Sequence, residues 1–273
     1  MISSGSLTRR PLLILSLAGC LLSQSSLALT PEEAKNLVNT LSKVQSVSYQ
    51  AVNAYYQFSN NPGDKELQMT IKSSSEELKN MIQSLPKQPG AADMAGEIST
   101  LQAIWEDYNK LLKTNVSDII KQGYPDIRLV TELDAANLTQ VKGARIAIEQ
   151  AREYSKLQPD TTLDAIRESR ILLLSMMTRY SARSASTVSQ VFQGGDGELS
   201  VEEQSAKFDA NIEMLSKEMA AQPEAIKKLE GIRSKWSFIK GSLVNFTENN
   251  VPFVVNLYSL KMVTLLDELE GMR

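Results

Sequence analysis

The stretch of this chain that most resembles a chemical site is GGDGELSVEE, at positions 194–203. Its acidic and hydroxyl residues match the second half of an EF-hand calcium loop. The positions of the first two ligands, however, are Phe192 and Gly194, and neither offers a carboxylate. Because Ca²⁺ takes roughly six to eight oxygen ligands, we predict a turn at the glycine pair instead. A helix capped by Ser200 and Glu203 follows that turn.

Catalytic chemistry has few residues to draw on. The chain contains no histidine, which removes the commonest general base and zinc ligand. Its one cysteine is Cys20, in the N-terminal segment, and no phosphate-binding loop or nucleophile elbow is present. Adjacent carboxylates such as Glu76 and Glu77 are typical of a solvated helix face, and a carboxylate-only hydrolase is the remaining catalytic alternative. We therefore predict a protein that is not an enzyme and that holds no metal and no cofactor.

The apolar run at 171–177 predicts a central helix that is contacted on most sides. Four arginines flank this run: Arg167, Arg170, Arg179 and Arg183. Arg170 and Arg179 are half a turn out of phase, because nine residues rotate a helix by about 900°. The two pairs therefore point to opposite sides, and are either ion-pair residues or, for one pair, ligands of an anion. The candidate ligand-binding residues are Arg170, Arg179, Arg183 and Ser175.

The elements that must position these residues are helices. Only 6% of the 273 residues are aromatic, and 13 glycines and nine prolines interrupt the chain, a composition typical of helical globular proteins. Apolar spacing and caps predict helices near 31–60, 65–85, 91–118, 126–157, 162–192, 201–221, 224–248 and 251–271. The net charge of −3 without a basic block indicates no nucleic-acid partner. We predict an all-α fold.

The first four and the last four predicted helices share landmarks. Two pairs of landmarks carry this relation: Leu41-Ser42 with Leu174-Ser175, and Trp105 with Trp236. The pattern predicts two tandem antiparallel four-helix bundles related by internal duplication, over 29–158 and 159–273. Chance similarity between two helical bundles is the alternative. No heptad seam is sustained for long enough to decide the oligomeric state.

Residues 1–28 are typical of a signal peptide, with two arginines ahead of an apolar run that is too short to span a bilayer. Small residues at Ser26 and Ala28 fit cleavage before Leu29. Alternatively, Leu-Ala-Gly-Cys at 17–20 fits a bacterial lipobox, in which Cys20 would be lipidated. The first route predicts a periplasmic or secreted protein, and the second predicts a membrane-anchored lipoprotein.

The segment SRILLLSMMTRYSARS (169–184), followed by an amphipathic helix and a helix with Trp236 at its middle, resembles a known domain. It is similar to the extracytoplasmic sensor module of PilJ and NarX-type bacterial receptors. The resemblance covers 162–271 and, more faintly, 31–157.

In the nitrate sensors of that family, the resemblance implies an anion-binding arginine three residues before the motif serine. Here Leu172 precedes Ser175 by three residues and Asn39 precedes Ser42 by three, so Arg170 is the nearest substitute.

These observations predict a non-enzymatic bacterial envelope protein with sensor-like helical modules. Its expected partner is a small anionic or polar ligand, or an inner-membrane receptor protein. The alternative is a structural or assembly scaffold of the envelope, either soluble or lipid-anchored through Cys20.

Overall fold

The computed structural model describes residue 1 and residues 29–185, 199–245 and 251–273. Within these residues the chain forms eight α-helices and no strand. The helices are α1 (Pro31–Asn60), α2 (Lys65–Ser84), α3 (Ala95–Gln122), α4 (Ile127–Ser155), α5 (Thr161–Ala185), α6 (Val201–Glu218), α7 (Pro223–Val244) and α8 (Pro252–Glu270). The predicted all-α class is confirmed. The predicted signal peptide with Cys20, and the glycine pair of the acidic stretch, lie outside the described residues.

Two helices begin where the sequence predicts a capping box. The Thr30 hydroxyl accepts a hydrogen bond from the Glu33 amide at 3.3 Å, and the Glu33 carboxylate accepts one from the Thr30 amide at 2.9 Å. Ser200 and Glu203 repeat this exchange at 3.1 and 2.8 Å. The pKa of each glutamate is lowered by hydrogen bonds that its carboxylate accepts from the cap residue: chiefly the hydroxyl of Thr30 for Glu33, and chiefly the amide of Ser200 for Glu203. Both predicted caps are therefore confirmed.

The third helix begins and ends later than the predicted range 91–118. Ala91–Met94 forms a short 3₁₀ helix after Gly90, whose φ of 76° is left-handed, and α3 starts only at Ala95. At its other end, Gly123 closes the helix with a φ of 83°. Glycine adopts left-handed backbone at little cost, so Gly90 precedes the 3₁₀ turn and Gly123 ends α3.

The helices contact one another in two closed circuits. Helix α1 packs against α2 and α4, which both contact α3; helix α5 packs against α6 and α8, which both contact α7. Neighbours within a circuit run antiparallel. For example, Gln45 of α1 meets Val141 of α4, whereas Tyr56, further along α1, meets Asp134, earlier on α4.

The two circuits meet where α1 packs against α5. Arg167 contacts Asn39, and Thr178 contacts the carbonyl oxygen of Tyr49, so residue numbers rise together and the two helices are parallel. Because α4 runs against α1 and α8 runs against α5, the last turns of α4 and α8 lie beside the first turns of α1 and α5. We refer to this as the lower end of the molecule.

Each circuit encloses a hydrophobic core. The first is formed almost entirely by α1 to α4 and includes Trp105, and the second is formed mainly by α5 to α8 and includes Trp236. Leu172 to Met177 are all buried, which confirms that α5 is a central helix. Four methionines lie in the second core: Met176, Met177, Met219 and Met262.

Removing the cap of α6 should destabilise the protein measurably. We expect Ser200→Ala to lower the free energy of unfolding by about 1 kcal/mol, because the Glu203 amide loses its acceptor. Thr139→Ala is the matched control, since it removes an exposed hydroxyl from the middle of α4, where alanine favours helix. Urea denaturation measures both variants, and equal losses of stability would contradict the capping role.

Candidate ligand-binding groove

A groove of about 740 Å³ lies at the lower end of the molecule. Its walls are the first two-thirds of α1, the end of α4 with its connection to α5, the start of α5 and the end of α8, with Glu77 of α2 at one side. Both circuits therefore contribute to it. The polar residues that α1 presents to the groove are Lys35, Asn39, Lys43, Ser46 and Gln50.

Two buried arginines of α5 form the floor of the groove. Nε of Arg167 donates to Oε1 of Glu270 at 2.7 Å. Nη1 of Arg170 donates to Oδ1 of Asp267 at 2.7 Å and also to Glu270. The two guanidinium groups are thus neutralised by two carboxylates of α8.

The same arginines also bind the first helix of the other circuit. Nε of Arg170 donates to the Ser46 hydroxyl at 3.0 Å, and Nη2 of Arg167 donates to the Asn39 side chain. Asn39 occupies the position where the sensor resemblance implies an anion-binding arginine. In this chain, that position accepts a hydrogen bond from an arginine of the other circuit.

Glu270 is held in its charged form. Its burial would raise the pKa, but the charge of Arg170 and the hydrogen bond from Arg167 outweigh that effect and lower it. A buried carboxylate is stable as an anion only when it is paired in this way. The floor is consequently a fixed ion-pair cluster at neutral pH.

The other candidate residues do not join Arg170 in the groove. Nη1 of Arg179 donates to the carbonyl oxygen of Leu199 at 2.8 Å, beyond the far end of α5. Arg183 is half-buried in the last turn of α5, and Ser175 is buried in the middle of that helix. The structure therefore separates the two arginine pairs along the helix as well as around it.

The cations that remain without a carboxylate partner are lysines. Lys35 and Lys43 line the groove and are exposed, and neither forms an ion pair with another described residue. The remaining arginines at the rim are paired, Arg152 with Asp164 and Arg273 with Asp160.

Glu77 is the one lining carboxylate, among those described, that has no cationic partner. Two ammonium groups against one carboxylate leave the groove with net positive charge.

Lys35 and Lys43 are not among the residues that the sequence predicts to bind a ligand. A lysine on an exposed helix face usually only solvates that face, and nothing in the local pattern of α1 sets Lys35 or Lys43 apart. What distinguishes them is the groove itself, which forms only when α5 and α8 pack beside α1.

The part of the chain that the structure describes contains no group of three or more acidic or cysteine side chains arranged to hold a metal ion. None of its helices combines the length and the apolar character that a membrane crossing requires.

Removing an arginine from the floor of the groove should destabilise the folded protein. We expect Arg170→Met to lower the free energy of unfolding by about 2–3 kcal/mol, because Glu270 loses one of its two arginine partners. The expected loss is smaller than the roughly 3–5 kcal/mol of a fully buried pair, because the other partner of Arg170, Asp267, is half-exposed. Arg145→Met is the control, since it removes an exposed arginine whose contact with Glu149 is 3.9 Å; a loss below about 0.5 kcal/mol is expected. Chemical denaturation compares them, and equal effects would show that the floor is not stabilising.

Acid should weaken the same cluster. A carboxylate with a lowered pKa stabilises the folded protein above its ordinary pKa, and this contribution is lost as the pH falls through the lower, folded value. Wild type should therefore lose more stability than Glu270→Gln between about pH 6 and pH 3. Urea midpoints across this range test the difference. Parallel pH profiles for the two proteins would contradict the assignment.

In comparisons with known proteins, no family model, no curated protein and no solved structure matched the chain.

Proposed function

We propose that the protein is a non-catalytic binding protein of the bacterial cell envelope, with a small anionic or polar ligand bound in the groove. The observation that carries this proposal is the position of Lys35 and Lys43. Their unpaired ammonium groups line a cavity of about 740 Å³, above a floor whose own charges are already neutralised. A ligand carboxylate, sulfate or phosphate would supply the anion that the lysines lack.

Neighbouring polar groups fit the same ligand chemistry. Asn39, Ser46 and Gln50 line the groove on the same helix as the lysines, and amides and hydroxyls can bind the neutral parts of a polar ligand. The arginines of the floor fix the wall shape, because each is held by two or more hydrogen bonds. In this proposal Arg170 positions the site, and the lysines bind the ligand.

The proposal includes two tandem antiparallel four-helix bundles related by duplication, over 29–158 and 159–273. The two circuits of helix contacts have the same order, and their first helices are parallel. The third helix of each contains a buried tryptophan, Trp105 or Trp236. These observations support duplication, because independent bundles need not share both connectivity and landmark.

A ligand in the groove would contact both modules. Small shifts of helices at an interface are an established way to transmit binding, and the groove is formed by α1 of one module and by α5 and α8 of the other. In the proposed setting, residues 1–28 direct the protein out of the cytoplasm. Cleavage before Leu29 would release it, and lipidation of Cys20 would anchor it.

The second candidate function is an assembly scaffold of the envelope. Exposed apolar side chains at the upper end, opposite the groove, favour it: Ile120, Tyr124 and Ile127 of the first circuit, and Val251 and Phe253 of the second. Contiguous exposed apolar surface commonly marks a site of protein contact. Mass spectrometry that finds lipidated Cys20, together with no ligand response in the assay below, would favour this scaffold.

Thermal unfolding of the secreted protein against phosphate, sulfate, and mono-, di- and tricarboxylates tests the binding proposal. A specific ligand at about 100 times its Kd should add about 2.7 kcal/mol of stability, a shift of several degrees. We expect the Lys35→Ala/Lys43→Ala variant to lose most of that shift, since both binding cations are removed.

Lys113→Ala is the matched control, because Lys113 is an exposed helical lysine outside the groove. It should retain the whole shift. An equal loss in both variants would indicate non-specific charge effects, and no shift with any anion would contradict the ligand class.

A further inference from the structure

The stripe of α4 that faces the first core contains two amides. Leu133, Ala144 and Ala147 are buried on this stripe, and Asn137 and Gln140 continue it at three- and four-residue spacing. Both amides have no solvent exposure. An amphipathic helix normally places aliphatic side chains at such positions.

The polar atoms of these two amides have no partner in the protein. Neither Oδ1 nor Nδ2 of Asn137, and neither Oε1 nor Nε2 of Gln140, forms a hydrogen bond. Asn115, in the same core, is fully used: it donates to the carbonyl oxygens of Leu111 and Leu129 and accepts from Tyr55. Buried amides are almost always paired, so four unpaired atoms within one turn of helix point to a partner from outside the chain.

The amides lie near the middle of the first core. On α4 they stand between Asp134 and Val141, which contact Tyr56 and Gln45 of α1. This brings them level with the middle of α1, where the Ser48 carbonyl accepts a hydrogen bond from the Tyr108 hydroxyl at 3.0 Å. A polar layer therefore crosses the core at this height.

We propose that the interior of the first four-helix circuit holds a small uncharged guest that both donates and accepts hydrogen bonds, bound by Asn137 and Gln140. The guest is either ordered water or a small neutral amide or alcohol, since each of these can both donate and accept hydrogen bonds. The proposal is independent of the groove and of its lysines.

The surroundings disfavour a charged guest. The titratable side chains inside the core at this height are tyrosines, and burial raises the pKa of Tyr108 far above its ordinary value. Burial, followed by the charge of Asp118, raises that of Tyr55 as well. The tyrosine hydroxyls therefore stay neutral at any physiological pH, and the carboxylate of Asp134, one turn from Asn137, already accepts a hydrogen bond from Tyr56. A charged guest would lose its hydration without a dedicated counter-charge.

The second core offers no equivalent pair. On α8, the buried stripe that includes Val255, Met262 and Leu266 contains a single unpaired hydroxyl, that of Ser259. A serine in a helix can turn its hydroxyl to the carbonyl one turn earlier, so Ser259 needs no guest. It is therefore the matched control.

A crystal structure of the protein at a resolution that shows ordered water tests the proposal without any variant. We expect density within hydrogen-bond distance of both amides. Separate peaks the size of single oxygen atoms would identify water. A larger connected density, with a matching mass released on denaturation, would identify an organic guest. No density, with the amides turned to pair with each other or with the backbone, would overturn the proposal.

Water-oxygen magnetic relaxation dispersion tests the site in solution. The Asn137→Leu/Gln140→Leu variant should lose the contribution of at least one long-lived water if water is the guest, and Ser259→Ala should lose none. For an organic guest, the leucine variant should release no small molecule on denaturation, whereas Ser259→Ala should release as much as wild type. If neither signal changes in the leucine variant, the proposal is wrong; if that variant does not fold, the wild-type density decides.

Discussion

The arrangement of α1, α5 and α8 around the groove depends on two arginines that are buried and paired. Arg167 and Arg170 of α5 contact Glu270 of α8 on one side, and Asn39 and Ser46 of α1 on the other. Removing charges from water costs several kcal/mol per ion unless partners replace the lost hydration. The carboxylates must therefore stay in place, and so must the segments of the three helices that hold these groups.

This cluster also explains why the groove is not a simple arginine site for an anion. An anion that approached Arg170 would compete with two carboxylates that the fold already supplies. Lys35 and Lys43 are not paired in this way, because four of the five lining carboxylates are used by arginines and the fifth, Glu77, forms no ion pair with either lysine. The paired arginines at the floor and the unpaired lysines on α1 together form the basis of the proposed ligand site between the two circuits.

The two cores differ in chemistry although their helix order is the same. Both contain tyrosines and buried polar groups, among them Tyr180 and Gln204 in the second, which also holds four methionines that adapt to irregular gaps. The first differs in its amides: Asn115 is satisfied, whereas no polar side-chain atom of Asn137 or Gln140 is paired. If the two circuits arose by duplication, as we propose, their interiors have since diverged.

Local features of this fold were predictable from the sequence. The caps at Thr30 and Ser200 involve residues three apart, so the pattern contains all the partners. The apolar run around Ser175 likewise identified α5 as central. Apolar spacing and caps also predicted eight helices, but they placed the start of α3 at 91, because they do not distinguish the 3₁₀ turn of Ala91–Met94 from the α-helix that follows it.

The site was only partly predictable. Arg170 was predicted either to bind an anion or to form ion pairs, yet its partner Asp267 lies 97 residues away, and no local pattern indicates that pairing. Lys35 and Lys43 become distinctive only when helices from the other circuit enclose them. Tertiary packing supplies this information, and a single sequence without packing does not contain it.

Anomalous diffraction from crystals soaked in selenate tests the central claim most directly, because it locates a bound anion without assuming the natural ligand. The account predicts the strongest peak in the groove, in contact with the ammonium groups of Lys35 and Lys43, and no peak there in the Lys35→Ala/Lys43→Ala variant. An empty groove with selenate bound at other places on the wild-type protein would contradict it.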